Sequence, residues 1–248
     1  VASYDDFAAW YDPLYAATGK DHAAEAHAVL DLLAGLAPTG SPAAAPGSLL
    51  DVACGTGQHL AAFATRVADV VGMDAAPAML DVARERLDGV ALRHGDMRRF
   101  DLERRFDVVT CLFSSIGHVR DEGDLDAAVA AMARHVAPGG ALVVEPWLTP
   151  DAVVEGGVRR VDTAETDGGV VARVSRSVLR GDVLVVEFAW SLATDEGVRT
   201  AEESFRMPLF TRERYAAALR AAGLEPGWHE LAELAADRGL VVGLRPAA

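Results

Sequence analysis

The 248-residue chain holds only two cysteines, Cys54 and Cys111, each within apolar surroundings. Two are too few for a disulfide framework and give no convincing basis for a metal cluster, so reduced thiols of a cytoplasmic protein are expected. Long apolar runs are missing as well, and none approaches the ~18 residues that a membrane span requires. The segment Val1-Ala2-Ser3-Tyr4-Asp5-Asp6 lacks the basic stretch followed by an apolar one that marks a secretory signal. Positive charge is scarce: 23 Lys and Arg stand against 37 Asp and Glu, for a net charge of −14. A surface that acidic repels phosphate backbones and anionic lipid, so such partners would need a local basic patch. The nearest candidate, Arg84, Arg86, Arg98, Arg99, Arg104 and Arg105, is interspersed with Asp and Glu and reads as solvated faces. Neither nucleic acid nor membrane is expected as a partner.

What is present is an ordinary globular composition, 51% hydrophobic and 24% charged, in a length that suits one or two domains with a sizeable core. Residues 21–36 carry Ala26, Val29, Leu30, Leu33 and Leu36 at helical spacing, after which Pro38, Gly40, Pro42, Pro46 and Gly47 break the pattern. Residues 48–54 form a short apolar run ending in Gly-Thr-Gly, the signature of a buried parallel strand that turns into a helix near Gln58. Strand-like runs at 70–74, 90–94 and 106–112 then alternate with helical ones at 77–87 and 124–136. Pro138-Gly139-Gly140 is expected to stop the last helix before a strand at 141–145. This alternation predicts an α/β fold with a doubly wound parallel sheet, spanning residues 48–149 and 211–248.

After Pro150 the texture changes. Stretches at 158–166, 170–180, 183–194 and 199–210 read as strands with no helix between them, which predicts an antiparallel β insertion over 150–210. In the third, Leu184, Val186, Phe188, Trp190 and Leu192 share one face and must bury it. The insertion is either a structural cap or a roof over a substrate. A helix at 212–222 and a closing strand at 239–244 return the chain to the core.

In a doubly wound sheet, ligands bind beyond the carboxyl ends of the strands, where the strand order reverses. Gly55 and Gly57 let backbone approach a ligand, and the next helix offers its free N–H groups. A nicotinamide dinucleotide site would place Gly or Ala at the sixth position of Gly-x-Gly-x-x-Gly, where this chain has Leu60. Asp74, ending the second strand, suits a ribose diol, a role common to several nucleotide cofactors, or is simply a turn residue.

The ordered motifs Asp51-Val-Ala-Cys-Gly-Thr-Gly57, Gly72-Met-Asp74, Gly95-Asp96-Met97 and Pro138-Gly-Gly140 resemble those of class I S-adenosylmethionine (SAM) dependent methyltransferases, over residues 20–147. The resemblance implies a Rossmann-like core with SAM as cofactor and S-adenosylhomocysteine as product. It implies Ala53, Gly55 and Gly57 against the methionine part, Asp74 on the ribose, and Asp96 with Met97 at the adenine. Leu112 would pack on the adenine or be an ordinary core leucine.

A narrower resemblance covers nearly the whole chain. Tyr11-Asp12, Gly19-Lys20-Asp21, Phe113-Ser-Ser-Ile-Gly-His118, Val144-Glu-Pro-Trp147, Ala172-Arg-Val-Ser175 and Arg238-Gly-Leu240 are similar to N,N-dimethyltransferases of dTDP-linked 3-amino deoxysugars in natural-product biosynthesis. Two departures are Leu148, where the family commonly has a second tryptophan, and Leu234-Ala-Ala-Asp237, where it has Gly-Pro-Ser-Gly. The resemblance implies that residues 1–47 fold over the active site, that Lys20 joins the cofactor-binding set, and that a nucleotide sugar is the substrate. Tyr11, Trp147, Arg173, Arg176 and Arg238 then become candidates for substrate contact, the arginines because a diphosphate needs local cations. The acceptor amine must lose a proton before it can attack, and His118, after the fourth strand, is the first candidate base, with Tyr11 beside it; each has a structural alternative, His118 as a backbone-capping loop residue and Tyr11 as part of a hydrophobic anchor with Trp10 and Tyr15. His94 and His135 are assigned to structure. Other readings are SAM-dependent methylation of another small amine or hydroxyl, and a SAM-binding module without catalysis. The apolar roof strand makes a homodimer plausible.

Overall fold

Strand β1 (Ser48–Val52) is buried at every position but its first, as befits a strand covered on both faces. The structure, a computed structural model, describes residues 7–234 and 239–247. Parallel strands β2 (Asp69–Asp74), β3 (Ala91–His94), β4 (Phe106–Cys111) and β5 (Val136–Val144) join β1. Helix α1 (Ala8–Ala17) precedes α2 (His22–Leu36), and α3 (Gln58–Phe63), α4 (Pro77–Arg86), α5 (Glu122–Arg134) and α6 (Arg212–Ala221) follow.

The helix starts obey local chemistry. The Asp21 carboxylate accepts from the Ala24 amide at 2.9 Å, Asp121 accepts from Asp124 at 2.8 Å, Thr211 accepts from Arg214 at 3.1 Å, and Pro77 opens α4. One core cluster packs α5 and α6 on one face of the sheet, and a second packs α2, α3 and α4 on the other.

Between the two halves of the core, β6 (Val158–Thr166), β7 (Gly169–Arg180), β8 (Val183–Thr194) and β9 (Gly197–Pro208) form a separate antiparallel meander. The period-2 face of β8 is buried: Leu184, Val186, Trp190 and Leu192 are 1–7% exposed. Part of what buries it is α1, whose Leu14 is fully buried among Val171, Trp190 and Leu192 while Phe7 stacks on Trp190. After α6 come β10 (Glu225–His229) and β11 (Leu240–Leu244), giving the order β10-β11-β5-β4-β1-β2-β3. The α/β fold with its antiparallel insertion is the one expected.

Two details differ from expectation. Pro138-Gly139-Gly140 does not precede β5 but lies inside it, because the pairing with β4 jumps between Phe106 and Val108 and the extra residues bulge out. A Cβ on Gly140 would stand 2.6 Å from the Asp107 carbonyl, so only glycine lets the bulge close. β10 has no counterpart in the sequence reading, since Pro226 and Gly227 look like breakers. It is an edge strand, where a missing N–H leaves no neighbour unpaired.

Among the described residues, no helix is long and apolar enough to cross a membrane. Both cysteines are buried free thiols, pushed well above the usual thiol range by burial.

Candidate active site

The strand order reverses between β1 and β4, which opens a crevice at their carboxyl ends. Leaving β1, the chain turns through three left-handed residues, Ala53 (φ 59°), Gly55 (φ 54°) and Gly57 (φ 79°), the last directly preceding α3. This tight loop is tied across to β2: the Asp74 carboxylate accepts from the Gly55 amide and the Ala76 amide, each at 2.8 Å. Burial pushes the Asp74 carboxyl up, against the pull of those amides.

Beside the loop lies a cavity of about 310 Å³. Met73, Met79, Met97 and Leu112 contribute apolar wall, and Asp74, Thr56, Gln58 and His22 contribute polar groups. At Gly55 no atom stands within 4 Å of where a Cβ would be, so the backbone is an open cradle that any side chain would fill. An apolar slot, a carboxylate acceptor and a bare backbone cradle at a helix start together fit an adenosine carrying an amino-acid tail. Of the residues expected at the cofactor, Ala53, Gly55, Asp74, Met97 and Leu112 line this cavity, whereas Gly57 does not and instead forms the left-handed turn into α3.

Asp96 is placed otherwise. Its carboxylate is engaged by Arg98 through Nε at 2.9 Å and Nη2 at 2.6 Å, which holds it below the usual carboxylate range, and the cavity wall takes its neighbours Gly95 and Met97 instead. Lys20, the only lysine in the chain, lines a second cavity rather than the first. Its ammonium lies 2.5 Å from Glu25 and 4.4 Å from the centre of the Phe113 ring.

This second cavity, of about 630 Å³, lies beneath the inner face of the meander. It shares Tyr11, Phe113 and His118 with the first, so the two meet at these side chains. The loop carrying Phe113 is strained: Phe113 (φ 53°) and Ser114 (φ 57°) are consecutive left-handed residues with side chains. A buried carboxylate holds them there. Glu145, directly after β5, accepts from the Phe113 amide at 2.6 Å and the Ser114 hydroxyl at 3.2 Å. The chain then runs through a short helical turn, Ser115–His118, which sets the His118 ring edge-on to Phe205 of β9 at 5.1 Å. Burial lowers the pKa of His118 below that of a free histidine, so its imidazole is neutral at neutral pH. Tyr11 packs 4.6 Å from Tyr15 and 6.3 Å from Phe113 between ring centres.

Trp147 forms part of the second cavity's wall, as do Arg173 and Arg176. Arg173 is only 6% exposed and its charge is already matched: Asp162 accepts from it at 2.7 Å, the Tyr15 hydroxyl accepts at 2.9 Å, and the Phe188 and Trp190 rings flank it. It is a strut between roof and α1 more than an open cation. Arg176 alternates to the opposite face of β7 and pairs with Glu187, its register partner on β8. Arg238 lies outside the described residues. His135, assigned to structure, accepts from the Leu102 amide and donates to the Ala131 carbonyl.

Residues that motif reading passed over complete the site. Glu25 sits four before Val29 on the apolar face of α2, a buried acid that could have drawn notice. It joins Lys20 to His59, whose Nε2 lies 2.9 Å away, and His59 meets the His22 ring on the first cavity's wall. Burial, with His59 and Lys20 nearby, lowers the His22 pKa to about 4.

Comparison with known proteins accords with this geometry. Residues 49–140 match the methyltransferase domain family. The chain is 44% identical over 244 residues to the dTDP-3-amino-3,6-dideoxy-alpha-D-glucopyranose N,N-dimethyltransferase of Streptomyces fradiae, covering 96% of this chain and 91% of that one. Its fold superposes on Streptomyces venezuelae DesVI with a TM-score of 0.86 and 40% identity over the whole of both chains. It also superposes on SAM-bound CalS10, an amino pentose methyltransferase from Micromonospora echinaspora involved in calicheamicin biosynthesis, with a TM-score of 0.81 and 43% identity over 95% of this chain and 96% of that one.

Proposed function

This chain belongs to the SAM-dependent methyltransferases, among the N,N-dimethyltransferases of dTDP-linked amino deoxysugars, and we propose that it transfers two methyl groups in turn to the 3-amino group of such a sugar during natural-product biosynthesis. The observation that carries this reading is the meeting of the two cavities at Tyr11, Phe113 and His118, which brings a cofactor-sized slot and a larger acceptor space to one point.

SAM bound in the first cavity supplies a methyl group on a sulfonium, already activated for displacement. The protein's part is to align the acceptor, exclude water and leave the amine unprotonated. Orientation alone supplies ~7–11 kcal/mol in favourable systems. The ring wall of Tyr11, Tyr15 and Phe113 excludes water at the junction. A buried setting disfavours an ammonium, and the neutral imidazole of His118 takes up the proton it releases. Tyr11 lies at the same point and orients the amine. Trp147 lies against the sugar, and Arg238 is the cation proposed for the diphosphate, the charges of Arg173 and Arg176 being already matched by Asp162 and Glu187. Arg173 supports this surface from beneath, and Lys20 with Glu25 and His59 braces the wall behind the cofactor's amino-acid end.

A homodimer belongs to the same reading. The outer face of the roof carries Val161, Val174 and Val198, which are 69%, 53% and 73% exposed, an apolar surface that a second copy would cover. The protein is taken to work in the cytoplasm, where SAM and nucleotide sugars are made.

The test is mass spectrometry of the product formed from SAM and dTDP-3-amino-3,6-dideoxyhexoses. Two successive gains of one methyl-for-hydrogen replacement are expected. No gain with any of these sugars refutes the acceptor assignment, and a single gain refutes dimethylation.

A further inference from the structure

Helix α1 faces two ways. Toward the roof Phe7 stacks on Trp190 at 5.2 Å, Leu14 is fully buried, and the Tyr15 hydroxyl accepts from Arg173 at 2.9 Å. Toward the core, Asp12 makes a closed polar triangle. One carboxylate oxygen accepts from the Thr56 hydroxyl at 2.6 Å, the other accepts from Arg86 Nη2 at 2.6 Å, and Arg86 Nη1 donates to the Thr56 carbonyl. The three residues come from distant parts of the chain: α1, the loop between Gly55 and Gly57, and the last turn of α4. The Asp12 side chain is 13% exposed and Thr56 is buried, so these charge-assisted bonds are shielded from water.

Thr56 belongs to the loop that forms the cofactor cradle. Tyr11, next to Asp12, belongs to the junction of the two cavities. Resting on the reading of those cavities as cofactor and acceptor sites, we infer that Asp12 is a positioning residue that couples the two: it ties the helix carrying Tyr11 to the loop that receives the cofactor. A loop held by left-handed glycines has conformational freedom to lose. A ligand that orders it seats α1 through Thr56 and Asp12, and an acceptor held beneath α1 orders the loop in return. By linkage each ligand strengthens the other's binding by the same factor.

The experiment is calorimetric titration of the full chain with dTDP and with S-adenosylhomocysteine, each alone and in the presence of the other. In the wild type each is expected to tighten the other about tenfold. Asp12→Asn keeps the shape but removes the charge that Arg86 meets, and the mutual tightening is expected to fall below about twofold, the range of a lost charge-assisted contact. Arg86→Lys keeps the charge beside Asp12 and is expected to retain most of the coupling. If Asp12→Asn does not fold, Arg86→Gln reads the same link from α4. Equal coupling in wild type and Asp12→Asn overturns the assignment of Asp12. A wild type that binds both ligands without coupling overturns it too, while leaving the proposed function standing. A wild type that binds S-adenosylhomocysteine but not dTDP overturns both.

Discussion

Replacing Gly57 by alanine separates backbone strain from crowding in the cofactor loop. At φ 79° an alanine pays the left-handed penalty of roughly 1–2 kcal/mol. Its Cβ would also stand 2.7 Å from Leu87 Cδ1 and 3.3 Å from Ala83 Cβ, and overpacking of that kind costs roughly 1–3 kcal/mol. The total is about 2–5 kcal/mol, or about 4–20 °C in Tm for a chain of this size. Gly55→Ala is the control. It meets nothing within 4 Å, so only the strain of about 1–2 kcal/mol applies, and Ala53 shows that this loop accommodates a left-handed alanine. In a Leu87→Ala background the closest contact disappears, and the Gly57→Ala penalty should shrink by about 1–3 kcal/mol. Differential scanning calorimetry without cofactor reads the stabilities. S-adenosylhomocysteine titrations should show the opposite order of harm, because the Gly55 side chain would project into the open cradle. A Gly57→Ala variant no less stable than Gly55→Ala, or a penalty unchanged by removing Leu87, would show that crowding does not act at this glycine.

Two pH effects follow from burial. With its pKa lowered, His118 stays neutral until the pH falls below the ordinary histidine value of about 6.5, so the acidic limb of kcat/KM should have its midpoint below that value. His118→Asn should abolish the limb, and its persistence would remove His118 as the proton acceptor. Asp51, fully buried and bonded by the Thr110 hydroxyl at 2.7 Å, has its pKa raised by desolvation to about 6. The folded state therefore binds its proton more tightly than the unfolded chain, and ionising it opposes folding by about 3 kcal/mol above pH ~6, an opposition that fades as the pH falls toward ~4. Asp51→Asn should raise Tm at pH 8 and flatten the dependence between those values, measured without cofactor; an unchanged slope would contradict the assignment.

The local patterns that reveal the core are those whose cause is local. Alternation in β8, helical spacing in α2 and glycine at Gly55 and Gly57 each report what a short segment must bury or how it must turn. Leu60 spoke against a nicotinamide site, and only the ordered set with Asp74, Asp96 and Pro138-Gly139-Gly140, through its resemblance to a known family, pointed to the cofactor class. Where the pattern misled, a tertiary neighbour explains it: Pro226 and Gly227 are harmless on an edge, and Pro138-Gly139-Gly140 is a bulge because β4 pairs across it.

The side chains at the junction show the same division. Tyr11 and His118 are residue types able to carry proton chemistry, the motifs around them made them candidates, and the fold brings both to the junction of the two cavities. The states of Asp96, Arg173 and Arg176 could not be read in this manner, because each charge is neutralised by a partner that no spacing rule names: Arg98, Asp162 or Glu187. Glu145 and Asp12 are legible only once β5 lies beside the Phe113 loop and α1 lies over Thr56. Sequence alone thus determined the parallel sheet and its glycine turn, since hydrophobic period and left-handed turns act over a few residues, while the cofactor was legible through the resemblance of the ordered motifs to a known family. Which charges remain open, which loop is strained and how α1 is tied down were decided by the tertiary structure. Pairings across 44 residues, as for Asp12 and Thr56, or 158, as for Tyr15 and Arg173, leave no local trace.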